Sequence, residues 1–254
     1  MSDPLSALRA ATPARVALGR SGTGLPTAPL LAFQLAHARA RDAVHAALPV
    51  EALRAAIALP SIFIRTAAPD RTAFLRNPDL GRRLAADAPA LAKGDFDLAV
   101  VVADGLSATA VEAHAPAVVA ALAARLEGWT FTPVAVVTQG RVAIGDPIGE
   151  DLGARAVVVL IGERPGLSAA DSLSAYITWA PRRGRRDAER NCVSNIRAGG
   201  GLDPVDAAAR IAWLLTEARR LGFTGVGLKD RSGAPTLANS SGPRLFEGET
   251  HDNN

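Results

Sequence analysis

Three continuous apolar runs, separated by amphipathic segments, constrain the fold of this chain more than any other feature. The runs are DLAVVVAD, TPVAVVTQ and AVVVLIGE, and a fourth candidate is SAYITWAP. Two helix-like segments follow strands of this set, SATAVEAHAPAVVAALAARLEG and PVDAAARIAWLLTEARRLGF. Strands that are apolar along their whole length, rather than at alternate positions, are typical of a parallel sheet covered by helices on both faces. The pattern therefore predicts an open, doubly wound α/β domain over residues 95–230.

The segments that precede this domain have helical patterns. Thr27 is the expected N-cap of a helix whose apolar residues follow at helical spacing. A second helix is expected between Asn77, as its N-cap, and Gly94, as its terminator. We therefore expect a smaller helical region over residues 1–94. The polar end of the chain, residues 231–254, is expected to be a flexible tail.

Composition excludes several classes of protein. A chain of 254 residues with 48% hydrophobic content can bury a full core. The 28 basic and 25 acidic residues nearly balance and are spread along the chain, which argues against a nucleic-acid partner. The single cysteine, Cys192, excludes an internal disulfide and indicates a reducing compartment. No segment has the apolar core of a signal peptide or the roughly 18 apolar residues of a membrane span, so we expect a soluble intracellular protein.

Polar turns follow three of the predicted strands. They begin at Asp104, Gln139 and Gly162. In open α/β sheets, ligands bind beyond the carboxyl ends of the strands, so these turns are expected to form one functional edge. Glu163, in the last turn, would accept hydrogen bonds from a ligand or would form a structural ion pair with Arg164 or another arginine. Its position alone leaves both roles open.

The other candidate residues have a structural and a functional interpretation each. Ser107 would cap the helix that follows it, which is the commoner role, or would leave that helix N-terminus available to a phosphate or carboxylate. Cys192 would be a small buried hydrophobe or a ligand contact. The segment PRRGRRDAERNC would be a solvated charged hairpin or an anion-binding loop. No glycine-rich nucleotide motif is present, and His37 and His45 lack the spacing of a zinc helix, so we expect no protein-bound metal.

Several segments occur in an order that resembles a known family. They include TPARVALGRSGTGLPTAPLLAFQLAHARARDAVH, QGRVAIGDPIGEDLGARAVVVLIGERPGLSAADSLSAYITWAPR and RNCVSNIRAGG, and the match extends from about Leu5 to Lys229. The chain resembles the small subunit of ethanolamine ammonia-lyase, with LIGERPGLS and NCVSNI as the most specific parts. The resemblance implies a helical N-terminal region followed by a Rossmann-like domain. It also implies a large barrel subunit as partner, adenosylcobalamin shared with that subunit, and radical conversion of ethanolamine to acetaldehyde and ammonia.

The resemblance further implies three cobalamin contacts: Val142 in GRV, Glu163 in GERPG and Cys192 in RNCVSN. Glu163 would accept hydrogen bonds from the amide side chains of the corrin. Val142 would pack against the macrocycle, and Cys192 would be a polarizable contact rather than a reactive thiol. The pattern Asp-x-His-x-x-Gly, which supplies a cobalt ligand in other cobalamin enzymes, is absent, so the cobalt is expected to keep its own benzimidazole. No catalytic residue is assigned to this chain, which is expected to be inactive alone.

Location and two alternative functions complete the expectations. The chain lacks the N-terminal extension that targets some family members to bacterial microcompartments, so the cytoplasm is expected. One alternative is a self-sufficient α/β enzyme that acts on a small anion through Ser107 and the arginines, and turnover by the isolated chain would favour it. The other is an arginine-rich nucleic-acid binder, whose affinity would fall steeply with salt. An aromatic content of only 4% argues against the second.

Overall fold

The computed structural model describes residues 5–12 and 14–233. The strands are β1 (Ser61–Arg65), β2 (Phe96–Ala103), β3 (Val134–Thr138), β4 (Ala154–Gly162), β5 (Leu173–Trp179) and β6 (Asn191–Ile196). The helices are α1 (Ser6–Ala11), α2 (Thr27–His45), α3 (Val50–Ala56), α4 (Arg71–Arg76), α5 (Ala108–Arg125), α6 (Gly145–Leu152) and α7 (Pro204–Leu221). Short 3-10 helices cover Pro78–Arg82, Val142–Ile144 and Asp187–Glu189.

All six strands form one sheet in the order β1-β3-β2-β4-β5-β6. The first four strands are parallel, whereas β5 is antiparallel to β4 and β6 is antiparallel to β5. The α/β class is therefore confirmed, but the expectation of an entirely parallel sheet is wrong. A parallel connection needs a crossover, usually a helix, and no α-helix forms over residues 163–172 or 180–190. The chain therefore turns back beside the strand that it has just left.

Over residues 5–12 and 14–94, the chain is less helical than expected. Strand β1 lies within this region and pairs with β3 at the edge of the sheet. The helix expected up to Gly94 is also wrong: the 3-10 helix Pro78–Arg82 forms, but no helix covers residues 83–94. There the backbone hydrogen-bonds to the segment that ends β1, through Ala67 N–H to Arg83 O and Ala85 N–H to Arg65 O. This pairing replaces the hydrogen bonds that a helix would make.

Helix starts differ in detail from the sequence pattern. Thr27 was expected as the N-cap, but helix α2 begins at Thr27 itself, after Pro26, and its N-terminus has no side-chain cap.

The division of the chain at residue 94 stays a prediction. Of the expected tail over residues 231–254, residues 234–254 lie outside the described part of the chain. Among the described residues, no helix is both long and apolar enough to cross a bilayer.

Different helices pack on the two faces of the sheet. Helices α5 and α7 pack on one face and enclose the larger core cluster, which includes Leu173, Ala175 and Ile177 of β5. Helix α6 packs on the opposite face, against β2 and β4. On that second face, β5 and β6 carry Tyr176, which is half-buried, and Cys192, which is exposed. Part of the sheet surface beside α6 is therefore accessible.

Candidate functional site

The turns at the carboxyl ends of β2, β3 and β4 lie together, as the sequence predicts. Asp104 Oδ1, after β2, accepts a hydrogen bond from the Gly140 N–H after β3 at 3.1 Å. Leu106 N–H donates to Gly162 O, at the end of β4, at 3.0 Å. Because these strands are parallel neighbours, their carboxyl ends form one edge. The bonds across the turns fix that edge.

Arg71 of α4 holds the same edge from outside the sheet. Its Nη1 donates to Gly105 O at 2.8 Å and lies 3.5 Å from Asp104 Oδ2. Its Nε donates to Val44 O, near the end of α2, at 2.7 Å. Burial lowers the pKa of Arg71 and raises the pKa of Asp104, because a low-dielectric environment penalises both charged forms. The ion pair offsets part of this penalty and connects α2, α4 and the turn after β2.

Glu163 directly follows β4 and is half-buried. Its Oε1 accepts hydrogen bonds from the Ser174 hydroxyl of β5 and from the Asn195 backbone N–H of β6, the latter at 3.0 Å. Within the described chain, Oε2 has no hydrogen-bond partner and Glu163 forms no ion pair. The structural ion pair with Arg164 that the sequence left open is therefore absent. One carboxylate oxygen is fixed by the sheet, and the other is available to a ligand.

Cys192 lies on β6 directly opposite Tyr176 on β5. Cys192 is exposed, so the interpretation as a buried core cysteine is wrong. Its sulfur nevertheless lies against Tyr176 and Ser174, and local burial raises the pKa of the thiol. Burial is also the main cause that raises the pKa of Tyr176 to about 12, and the neighbouring Cys192 is the next largest cause. Both groups are therefore protonated at neutral pH, and little of the nucleophilic thiolate is present.

Val142 starts the 3-10 helix that leads into α6 and is half-buried. Val142 and Tyr176 both pack against the smaller core cluster, on the α6 side of the sheet. The surface formed by Val142, Glu163, Ser174, Tyr176 and Cys192 is called the open face below. It includes Val142, Glu163 and Cys192, the three residues that the family resemblance implies as cobalamin contacts.

Ser107 is fully buried and caps α5. Its hydroxyl accepts from the Ala110 N–H at 3.2 Å and donates to Ala170 O at 2.8 Å. The capping interpretation is confirmed. Because both hydrogen-bonding roles of the hydroxyl are used within the chain, the structure gives no support to Ser107 as the centre of an anion-processing site.

The segment PRRGRRDAERNC forms a charged loop that is tied to α6. Arg183 pairs with Asp151 at 2.7 Å and also with Glu150. Arg190 makes a fully buried, two-point pair with Asp146, with both N···O distances at 2.7 Å. These arginines are used structurally. Among the described residues, no group of three His, Cys, Asp or Glu side chains could hold a metal ion.

Sequence reasoning missed two residues of the open face, Ser174 and Tyr176, and the Asn195 N–H, which holds Glu163 from β6. Ser174 and Tyr176 are two residues apart in SAYITWAP, so a strand places them on the same side. That alternation is the signal that could have found them. Asn195 contributes a backbone group in a left-handed conformation, with φ of 56°, and no residue-type pattern indicates it.

The fold defines a class: an α/β protein with a mixed six-stranded sheet and polar turns gathered at the carboxyl ends of its parallel strands. Its sequence matches the family model of the ethanolamine ammonia-lyase light chain (EutC) over residues 2–229. It is 53% identical to the ethanolamine ammonia-lyase small subunit of Xanthomonas campestris pv. campestris, over 96% of this chain and 95% of the relative. The corresponding protein of Ralstonia nicotianae is 50% identical, over 96% of this chain and 94% of the relative. The chain belongs to the ethanolamine ammonia-lyase light chain family.

Proposed function

We propose that this chain is the small subunit of an ethanolamine ammonia-lyase and that its open face binds adenosylcobalamin together with a large subunit. The observation that carries the proposal is the arrangement of Glu163, with Oε1 held by Ser174 and Asn195 and Oε2 without a partner in the described chain. The amide side chains around a corrin ring are N–H donors, which a carboxylate oxygen accepts. The residues present therefore fit this cofactor.

The remaining residues of the open face suit the flat, largely apolar surface of a corrin. Val142 offers an apolar contact, and Cys192 with Tyr176 offers a polarizable surface. None of these groups would ligate the cobalt. This agrees with the expectation that the cobalt keeps its own benzimidazole as lower ligand.

The chain's part in the reaction is to bind and orient. When bound, adenosylcobalamin supplies the radical chemistry that releases the amine of ethanolamine, and the protein supplies position and exclusion of water. Glu163 would fix the rotation of the corrin about its axis through the peripheral amides. Val142 and Cys192 would keep water from the side of the ring that faces this chain. No acid, base or nucleophile of the open face is placed to act on a substrate, so the isolated chain is proposed to be inactive.

A partner subunit completes the proposal. The open face covers only one side of a ligand, and a cofactor bound there would otherwise remain exposed to water. The curated relatives are named as small subunits, and a large subunit is the corresponding partner. We propose the cytoplasm as its location. The alternative of a self-sufficient enzyme has no supporting observation, because Ser107 is used as a helix cap.

The variant Glu163→Gln tests the proposal. An amide accepts hydrogen bonds at one atom only, so it cannot accept from Ser174 and Asn195 and also from a ligand. Cobalamin affinity of the assembled complex, measured by absorption titration, is expected to fall by about 1 to 3 kcal/mol. Glu112→Gln is the matched control, because it neutralises an exposed carboxylate on α5, on the other face of the sheet. Equal cobalamin affinity in Glu163→Gln and wild type would remove Glu163 from the site.

A further inference from the structure

Arg141 is held rigidly beside the open face. It directly precedes Val142, and its backbone N–H donates to Gly81 O at 2.8 Å. Its guanidinium lies 4.5 Å from the centroid of the Phe74 ring. A Cβ on Gly81 would lie 2.7 Å from Gln139 O and 2.8 Å from the Phe74 ring, as well as 3.0 Å from Arg141 Cγ, so a glycine is needed for this close approach. The stacked ring and the close backbone limit where the guanidinium can point.

This guanidinium has no acceptor within the described chain. Arg141 Nε is buried without a hydrogen-bond partner, and Arg141 makes no ion pair with a described residue. Arg183 and Arg190 are both paired with carboxylates. A partly buried cation without an acceptor is unfavourable unless a ligand or a partner supplies the missing group.

Further positive charge surrounds Arg141. Burial lowers its pKa, and so do the like charges of three nearby arginines, Arg71, Arg82 and Arg164. The carboxylates paired with this group are Asp104, 3.5 Å from Arg71, and Asp79, 3.4 Å from Arg82. Four guanidinium groups therefore share two carboxylates. A second buried donor, Arg71 Nη2, is also without a partner and belongs to a side chain that stacks on the same Phe74 ring.

Space for a ligand adjoins this arginine cluster. Arg82 and Ala143 line a cleft of about 600 Å³. Of the four arginines only Arg82 lines this cleft, and Ala143, which also lines it, follows Val142 directly in the chain. A volume of this size is within the range of small-molecule sites.

We propose that Arg141 is an anion receptor that binds the phosphodiester in the nucleotide tail of cobalamin. The inference rests on the proposed function, since it assigns a second contact point to the same ligand. A phosphodiester is ionised at all physiological pH values and accepts hydrogen bonds from the fork of an arginine. With Val142 against the corrin and Arg141 on the tail, two adjacent residues hold two chemically different parts of one cofactor.

Cobinamide provides the decisive comparison, because it keeps the corrin and its amides but lacks the nucleotide and therefore the phosphodiester. The variant Arg141→Met keeps an unbranched side chain over Phe74 and removes the charge. In the assembled complex, its affinity for cobalamin is expected to fall about 10- to 100-fold, as for loss of a charged hydrogen bond. Its affinity for cobinamide is expected to match wild type. Absorption titrations with both corrinoids measure the two changes.

Two further variants make the test secure against folding effects. Arg141→Lys keeps the charge without the two-point geometry and is expected to show an intermediate loss for cobalamin only. Arg210→Met removes an exposed guanidinium from α7, on the other face of the sheet, and is expected to bind both corrinoids like wild type. Size-exclusion chromatography without corrinoid shows whether each variant still assembles with the large subunit.

Three outcomes would overturn the assignment. Equal losses for cobalamin and cobinamide would place Arg141 on the corrin or on the fold rather than on the phosphodiester. Weaker assembly of Arg141→Met without any corrinoid would show that a carboxylate of the large subunit is the acceptor. A wild-type complex that binds neither corrinoid would refute the proposed function and the Arg141 assignment with it, whereas the first two outcomes refute the assignment alone.

Discussion

At the scale of single residues, the open face depends on partners that come from different strands. Glu163 is held by Ser174 of β5 and Asn195 of β6, and Cys192 lies opposite Tyr176. The three carried-over residues were identified by their sequence context, but the groups that orient them were not. Those groups depend on the register of the strands, which a single sequence does not determine.

Cys192 tests the open face through its reactivity. Local burial raises the pKa of its thiol, and the thiolate is the form that reacts with an alkylating reagent. At any pH near neutral, less thiolate is present than in a free cysteine, so alkylation is expected to be slow and its pH midpoint to lie above that of free cysteine. Bound cobalamin is expected to protect the thiol. Iodoacetamide labelling of the assembled complex, followed by mass spectrometry, measures both effects.

The control for this labelling is global unfolding, measured in parallel by circular dichroism. The chain has one cysteine, so every labelled molecule reports on the same site. Equal labelling rates with and without cobalamin, while the fold stays intact, would place Cys192 outside the cofactor site.

At the scale of elements, the feature that the sequence pattern did not predict is the one that leaves the open face accessible. The apolar runs predicted β2, β3 and β4 and the edge where their turns meet, because continuous burial leaves a strong signal. The reversal of β5 and β6 left no such signal, since Asn191–Ile196 mixes buried and exposed positions. Without a crossover helix after β4, the α6 side of β5 and β6 stays accessible at Tyr176 and Cys192.

The loop between β5 and β6 is held to α6 by the buried pair of Arg190 and Asp146. Removing one partner leaves the other charge buried without compensation, so Arg190→Met is expected to lower the free energy of unfolding by about 3 to 5 kcal/mol. The double variant Asp146→Leu/Arg190→Met removes both charges and is expected to recover much of that loss. Urea unfolding followed by circular dichroism measures the three proteins.

Arg183→Met is the matched control for this prediction. Arg183 also pairs with carboxylates of α6, but its side chain is 55% exposed, and exposed pairs contribute only about 0 to 1 kcal/mol. A double variant as unstable as Arg190→Met alone would show that lost packing, and not the uncompensated charge, dominates.

At the scale of the whole molecule, helix α2 exposes apolar side chains that would suit contact with a partner. Leu31 and Leu35 are 58% and 53% exposed, and Leu30 and Phe33 of the same helix are also exposed. The sequence predicts this helix from apolar residues at helical spacing. The spacing of apolar residues predicts the helix. It does not predict whether the apolar side of the helix packs against the core of this chain or contacts another chain.

The double variant Leu31→Gln/Leu35→Gln tests whether this surface is kept for the large subunit. Exposed apolar patches of this kind mark interaction sites and promote association, so the wild-type chain expressed alone is expected to aggregate and the variant to be more soluble. Its free energy of unfolding is expected to change little, because both leucines are already largely exposed. Its affinity for the large subunit is expected to fall, because an obligate interface is built from apolar contacts.

Val226→Gln, at a 72% exposed position outside α2, is the control for both measurements. Light scattering of the isolated chain and a pull-down with the large subunit decide the matter: a variant that gains solubility but keeps full affinity would place the large subunit on another surface.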